Sequence, residues 1–353
     1  MAPRAGPEDK LPWQRVPREV REATAAALGL PVARATRAWG GYAPSATYRL
    51  FLADGRRAFF KGVHAGSSAH LHEALAVEER VYRELGAVVG PWAPAFLGAI
   101  RLGEWHALLL EDLGPPSVPP WTAASLRAAA RGLAELHRHC RGRDLPAWIP
   151  QGRHSEFATR WAGFLADDGI ERMLEVAGDL ADDARAWLRS ALPSFTASGG
   201  RLADAPPPHT LLHFDARSDN LRIVDGRLRL FDWNWATTGP PEFDLAAFAQ
   251  SIPVEGGGDA EHVVALYAEV LPVRDDVLTS SLAAIAPHFL RGVWQPDVPG
   301  LPRLRPFQRA QAVTTVAWAA RRLCLPEPAW LERLVERMDG AGGQAAGSRV
   351  GQT

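Results

Sequence analysis

The chain has 353 residues, 47% of them hydrophobic and 22% charged, with a formal net charge of −1. That balance suits a globular protein large enough for two lobes, and it gives no electrostatic footprint for a nucleic-acid or anionic-membrane partner. Two cysteines, Cys140 and Cys324, make no disulfide framework, and no leader-like apolar segment or long apolar run is visible, so the expectation is a cytoplasmic protein with no obligate protein partner.

The N-terminus is Pro-rich, and residues 1–15 are expected to be flexible. Trp39-Gly40-Gly41-Tyr42-Ala43-Pro44-Ser45 reads as a glycine loop entering a hairpin. Two strand-like runs, 47–53 and 56–63, flank Asp54-Gly55, a two-residue turn signal. Counting from such a turn pairs Ala53 with Arg56 and sets Lys61 opposite Tyr48, beside the end of the glycine loop. Lys61 stands out by composition: of 39 basic residues only Lys10 and Lys61 are lysines. A compact ammonium is not interchangeable with a planar guanidinium at a tight phosphate contact. Residues 69–86 follow helical spacing, and at about 100° per residue Glu78 falls at the centre of the apolar stripe. A carboxylate there needs a partner, and Lys61 is the candidate. Leu108–Pro115 then reads as a buried strand breaking into a Gly/Pro hinge, where backbone groups of Glu111 and Leu113 are placed to meet an adenine ring.

Beyond the hinge the pattern is mainly helical: 121–140, 157–176, 179–195, 260–270, 274–294 and 307–338, with 340–353 expected as a disordered tail. The histidine-rich stretches His70-Leu-His72 and His137-Arg-His139 lack companions at zinc spacing and read as surface or core histidines. Between the helices lies His213-Phe-Asp215-Ala-Arg217-Ser-Asp219-Asn220, then a hairpin across Asp225-Gly226, then Asp232. The turn signal is type I′ and pairs Val224 with Arg227, hence Asn220 with Phe231. Asn220 and Asp232 therefore meet at the hairpin's open end. Phosphoryl transfer needs a carboxylate to orient the attacking hydroxyl and oxygen ligands for magnesium, and the spacing from Asp215 to Asn220 is that of a kinase catalytic loop. Asp244 opens an apolar helix and reads first as its cap, with a second reading as an anchor of the catalytic loop from below.

In this ordered set the chain resembles the aminoglycoside phosphotransferase/choline kinase-like family. The resemblance implies an α+β, bilobal protein-kinase-like fold: a small antiparallel-sheet N-lobe over residues 16–112 and a larger, mainly helical C-lobe over 113–339. It implies ATP, with GTP as the alternative nucleotide, and Mg2+ as cofactors, and a small hydroxylated molecule as the phosphate acceptor. It further implies Asp215 as the catalytic aspartate, Asn220 and Asp232 as magnesium ligands, and Lys61, held by Glu78, as the α/β-phosphate contact. Gly40, Gly41, Ser45, Glu111 and Leu113 complete the candidate nucleotide site.

One feature sets the chain apart from protein kinases, and another from its antibiotic-kinase relatives. Only about ten residues part Asp232 from Pro241-Glu242, too few for the activation segment on which a protein kinase docks a peptide. Arg217, two residues after Asp215, stands where many antibiotic-kinase relatives carry an apolar residue. It is a second candidate catalytic group, able to reach the transferring phosphate or an anionic substrate, or else to brace the loop through Asp219 or Asp244. The first role predicts a substrate that is neutral or anionic near its hydroxyl. An aminoglycoside kinase would instead want an acidic cleft, for which Asp167, Asp168, Glu171, Glu175, Asp182 and Asp183 are candidates unless they form a solvated helix face. Trp233, Trp235 and Trp294 are candidates for a stacking pocket or for core. A pseudokinase that binds nucleotide without turnover is the remaining alternative.

Overall fold

The computed structural model describes residues 11–39, 45–66 and 69–347. The N-lobe is a five-stranded antiparallel sheet with helix α1 (Arg18–Leu28) packed near its edge and helix α2 (Ala69–Glu84) behind it. Its strands are β1 (Val32–Arg37), β2 (Ala46–Leu52), β3 (Arg57–His64), β4 (Phe96–Leu102) and β5 (Trp105–Glu111), in the spatial order β1-β2-β3-β5-β4. Apolar side chains on one sheet face gather around Tyr48, Phe60 and Trp13. Residues 11–15, expected to be flexible, are instead tied down: Trp13 is buried against those rings, and the Tyr48 hydroxyl donates to the Leu11 carbonyl. Residues 1–10 lie outside the described residues.

The first hairpin corrects the expected register by one residue. Lys61 pairs with Thr47, and Tyr48 pairs with Phe60. The loop is three residues long: the Leu52 N–H donates to Arg56 O, the Gly55 N–H donates to Leu52 O, and only Gly55 takes a left-handed φ, +87°. A three-residue loop ending in such a glycine is the other common hairpin closure. Because side chains alternate along a strand, the shift moves Lys61 to the face opposite Tyr48 and Phe60. That face looks into the cleft between the lobes.

The second hairpin closes as expected. Asp225 (φ +50°) and Gly226 (φ +71°) are both left-handed, Val224 pairs with Arg227, and the Phe231 N–H donates to Asn220 O at 3.0 Å. This hairpin, β7 (Leu221–Val224) and β8 (Arg227–Leu230), lies against helix α3 (Ala123–Cys140), which is capped by Thr122 and Ser125. Gly132 of α3 permits the approach, since a Cβ there would sit 2.5 Å from the Leu228 Cβ. Strands β6 (Thr210–Leu212) and β9 (Thr237–Gly239) pair on either side of the segment that holds His213–Asn220 and the second hairpin.

The rest of the C-lobe is helical, with α4 (Ala181–Gly200), α5 (Pro241–Ala249), α6 (Asp275–Trp294), α7 (Leu304–Arg322) and α8 (Ala329–Gly347). The expected helix over 157–176 is three short helices, broken where Asp168 turns left-handed (φ +54°) and Gly169 packs on Phe164. Helix α8 continues past residue 339, where a disordered tail was expected; residues 348–353 lie outside the described residues. Among the described residues no helix is long and apolar enough to cross a membrane.

Candidate active site

The two lobes meet at Lys61. Its Nζ donates to Glu78 Oε2 and to Asp232 Oδ1, both at 2.6 Å. Glu78, fully buried on α2, accepts two more hydrogen bonds at Oε1, from the Tyr82 hydroxyl at 3.1 Å and from the Asp232 N–H at 2.9 Å. One side chain thus fixes both the lysine and the backbone of the aspartate, which sits in the left-handed region at φ +70°. Burial alone would favour a neutral Lys61, but the Asp232 and Glu78 carboxylates outweigh it and hold the ammonium charged above the ordinary lysine range. Burial likewise opposes the charge on Asp232, and Lys61 more than offsets it, holding that carboxyl below its usual range.

Across the cleft, Asn220 Nδ2 donates to the Asp215 carbonyl and to Asp215 Oδ2, each at 2.9 Å, which leaves the amide oxygen of Asn220 as its ligand-competent atom. Arg217 Nη2 lies 3.1 Å from Asp215 Oδ2, and Arg217 Nε lies 3.2 Å from Asp219 Oδ1. Arg217 therefore contacts Asp215 and Asp219. The Asp215 side chain is 30% exposed to the cleft. Protein packed around it pushes its carboxyl up to about 7; Arg217 opposes this, the Asp219 and Asp232 carboxylates add to it, and Asn220 opposes it.

A divalent cation fits this donor set. Four carboxylates, of Glu78, Asp215, Asp219 and Asp232, gather around the cations of Lys61 and Arg217, and the Asp219 and Asp232 carboxylates add to the burial that raises the pKa of Asp215. Among the described residues no group of three or more His, Cys, Asp or Glu side chains is arranged to hold a metal by itself. Magnesium characteristically takes one or two protein oxygens and completes its shell with water and phosphate oxygens.

Asp244 corrects the expected cap. Helix α5 begins three residues earlier, behind Pro240, and the Asp244 carboxylate is fully buried. Its oxygens accept the N–H groups of His213 (2.7 Å) and Phe214 (2.8 Å), while His137 Nε2 lies 3.3 Å away. The His213 ring in turn bonds the Phe231 carbonyl at 2.9 Å, tying the loop to the hairpin that carries Asp232. His137 was legible only as a core histidine; its place in this brace has no sequence signal beyond its position. A second support was missed altogether: Glu255 accepts from the Ser218 hydroxyl and, at 2.8 Å, from Trp121 Nε1. We expect Asp244→Asn to lower kcat with little change in the KM for ATP, and to cost about 1–3 kcal/mol of stability, because an amide N–H would then face a backbone donor. Steady-state kinetics with thermal melting tests this, and a variant unchanged in both would remove Asp244 from the brace.

At the hinge, the Glu111 N–H is taken by the Ala95 carbonyl at 2.8 Å, so Glu111 could meet a nucleobase only through its carbonyl. The neighbouring Asp112, unremarked in the sequence, receives a bidentate Arg49 (3.0 and 3.0 Å) and the Gly114 N–H (3.0 Å), anchoring the linker to β2. Ser45 is buried at the start of β2, whereas Gly40 and Gly41 lie outside the described residues.

A cavity of about 100 Å3 opens beside Asp215 and Arg217, walled by Phe157, Phe214, Phe243 and Phe289. None of the three expected tryptophans lines it; Trp233 is core, against His213. A larger cavity, about 390 Å3, lies behind α7 and shares only Gln250 with it, so size alone does not locate the site. The acidic residues of 167–183 are exposed, and Asp167, Asp182 and Asp183 pair with Arg291, Arg185 and Arg333, which fits the solvated-face reading.

A model described as "Phosphotransferase enzyme family" matches residues 34–277, well over half of the chain. The chain belongs to this phosphotransferase family. No curated protein matches it in sequence. Among solved structures it is similar to a spectinomycin phosphotransferase in complex with ADP and spectinomycin (14% identity, 84% of this chain and 94% of that one, TM-score 0.56). It is also similar to an aminoglycoside phosphotransferase from Alicyclobacillus acidocaldarius (14%, 87% and 93%, TM-score 0.54) and to an amicoumacin kinase in complex with AMP-PNP, Ca2+ and Ami (13%, 84% and 93%, TM-score 0.51). At these identities the likeness is one of fold: the bilobal, protein-kinase-like architecture.

Proposed function

We propose that this phosphotransferase moves the γ-phosphate of ATP to a hydroxyl of a small molecule. The observation that carries the reading is the meeting of Lys61 with both Glu78 and Asp232 at 2.6 Å, which joins a nucleotide-facing lysine of one lobe to a metal-type aspartate of the other. The glycine loop at Gly40 and Gly41, with Ser45, covers the phosphates; Lys61 contacts them; the Glu111 carbonyl and Leu113 N–H receive the base. Asn220 and Asp232 would hold Mg2+, which would neutralise phosphate charge when bound. Asp215 orients the acceptor hydroxyl and accepts its proton as the oxygen bonds to the γ-phosphorus; the bridging P–O bond breaks and ADP leaves with its electron pair. Arg217, shared between Asp215 and Asp219, braces the loop and adds positive charge beside the transferring group.

Magnesium-dependent ADP release across a panel of hydroxylated metabolites tests the reading. Tight nucleotide binding with no release for any acceptor would favour a pseudokinase. Asn220→Ala and Asp232→Asn should each raise the magnesium concentration needed for half-maximal rate. If neither variant shifts that requirement, the shared metal site is wrong.

A further inference from the structure

The cavity beside Asp215 is asymmetric in its chemistry. One wall is aromatic: the Phe214 and Phe243 rings stack at 4.7 Å, and Phe157 meets Phe243 edge-on at 5.0 Å. The other wall consists of hydrogen-bonding groups, among them His288, Gln308 and Gln311. Asp215 is the only carboxylate among its lining residues.

Cations gather around the cavity. The Arg160 guanidinium lies 4.2 Å over the Phe157 ring, whose centre is 6.1 Å from that of His288. Arg305 Nη1 donates to Gln308 Oε1 at 2.5 Å. Among the described residues neither Arg160 nor Arg305 makes a direct ion pair with a carboxylate, though Glu156 and Asp297 lie near enough to favour their charges, and Arg291 pairs with the exposed Asp167. His288 opens to the cleft, yet the protein around it, with Arg160, Arg217, Arg291 and Arg305, pushes its pKa down to about 4, so the ring is neutral at neutral pH.

An independent feature points to a ligand here. Gln311 is 1% exposed, lines the cavity, and its Nε2 has no hydrogen-bond partner among the described residues. A buried amide donor left unpaired costs about 1–3 kcal/mol, and an acceptor oxygen in the cavity would recover it.

Resting on the phosphotransferase reading above, we infer that the acceptor is a small hydroxylated carboxylic acid with an apolar body. The body packs on the phenylalanine wall, and the carboxylate takes the Gln311 donor within the field of Arg160 and Arg305. The hydroxyl is thereby turned toward Asp215. A polycationic aminoglycoside would meet like charge at these arginines and find no carboxylate among the lining residues but the one required for chemistry.

The test is calorimetric binding of phenyllactate, its methyl ester, phenylalaninol and kanamycin to the full chain with magnesium and AMP-PNP. Phenyllactate should bind about tenfold or more tightly than the ester or the amine. Gln311→Leu and Arg305→Met should each flatten that preference while melting temperature and AMP-PNP affinity stay near wild type. The inference is overturned if the ester, the amine or kanamycin binds as well as the acid, or if no probe binds at millimolar concentration while AMP-PNP does. Failure of AMP-PNP itself to bind would bring down the phosphotransferase reading first, and the acceptor assignment with it.

Discussion

Asp215→Asn is expected to cut phosphoryl transfer by about 10²–10⁴-fold, the usual loss for a positioned acid/base group, while leaving the folded chain at least as stable as wild type above neutral pH. The amide keeps the side chain's size and still accepts from Asn220, so the loop is not emptied. The stability half follows from charge. Asp215 titrates near 3.8 when unperturbed and is pushed up to about 7 in the folded protein, by burial first and by the Asp219 and Asp232 carboxylates, against Arg217 and Asn220. Between those values the folded chain keeps a proton that the unfolded chain has released. Folding stability therefore falls as pH rises through that window and stays lowered above it. The asparagine removes this loss, so the gain should be absent at pH 4 and present at pH 8. Turnover assays paired with melts at both pH values check it. Retained activity would sink the catalytic assignment, and a variant destabilised equally at both pH values would show that the Asp215 carboxylate supports the fold.

Much of the machinery was legible because it is local or periodic. Glu78 could be placed at the centre of a buried stripe because helical geometry fixes angle from sequence distance, and a buried carboxylate requires a cation. Asn220 and Asp232 could be brought together because Asp225-Gly226 closes a two-residue turn. The same dipeptide at Asp54-Gly55 misled by one residue: only the glycine turns left-handed there, and nothing in the pair itself says whether the preceding residue joins the loop. The edge strand β1 is half polar, has no fully buried residue, and carries no clean alternation to read. What remained hidden was long-range. Asp112 acquires meaning only when Arg49 arrives from β2, and Asp244 only when the His213 and Phe214 N–H groups need an acceptor. The cavity draws its wall from residues 157, 214, 243 and 289 and its orphaned donor from 311, a set with no common spacing.

Site and fold are coupled through shared atoms. Glu78 Oε1 holds the backbone of Asp232, its Oε2 holds Lys61, and Asp244 holds the loop that presents Asp215. Each group proposed to react is thus held by a fully buried carboxylate.

Lys61→Arg tests how far that positioning depends on the shape of a cation and not on its charge. The chain uses arginine for all but two of its 39 basic residues, so a lysine kept here marks a place where the guanidinium is unsuited. The geometry gives the reason. The ammonium touches Glu78 and Asp232 with a single atom, 2.6 Å from each, and its donors radiate from that point. A guanidinium is planar and longer and presents its donors as a fork, so it pairs side-on with one carboxylate and leaves the other misaligned. Charge balance survives, and the melting temperature should remain near wild type. Phosphate contact does not survive, and kcat/KM for ATP should fall by about 10²–10³-fold, the scale of losing one preorganised donor to a charged transition state. Lys61→Met separates the two effects from the other side: it leaves the buried Glu78 without its cation and should cost about 3–5 kcal/mol of stability in addition to activity. Stopped-time ADP assays and thermal melts on both variants decide the matter. Wild-type kinetics in the arginine variant would make Lys61 an accident of composition, and an unaltered melt in the methionine variant would mean that Glu78 finds its stabilisation elsewhere.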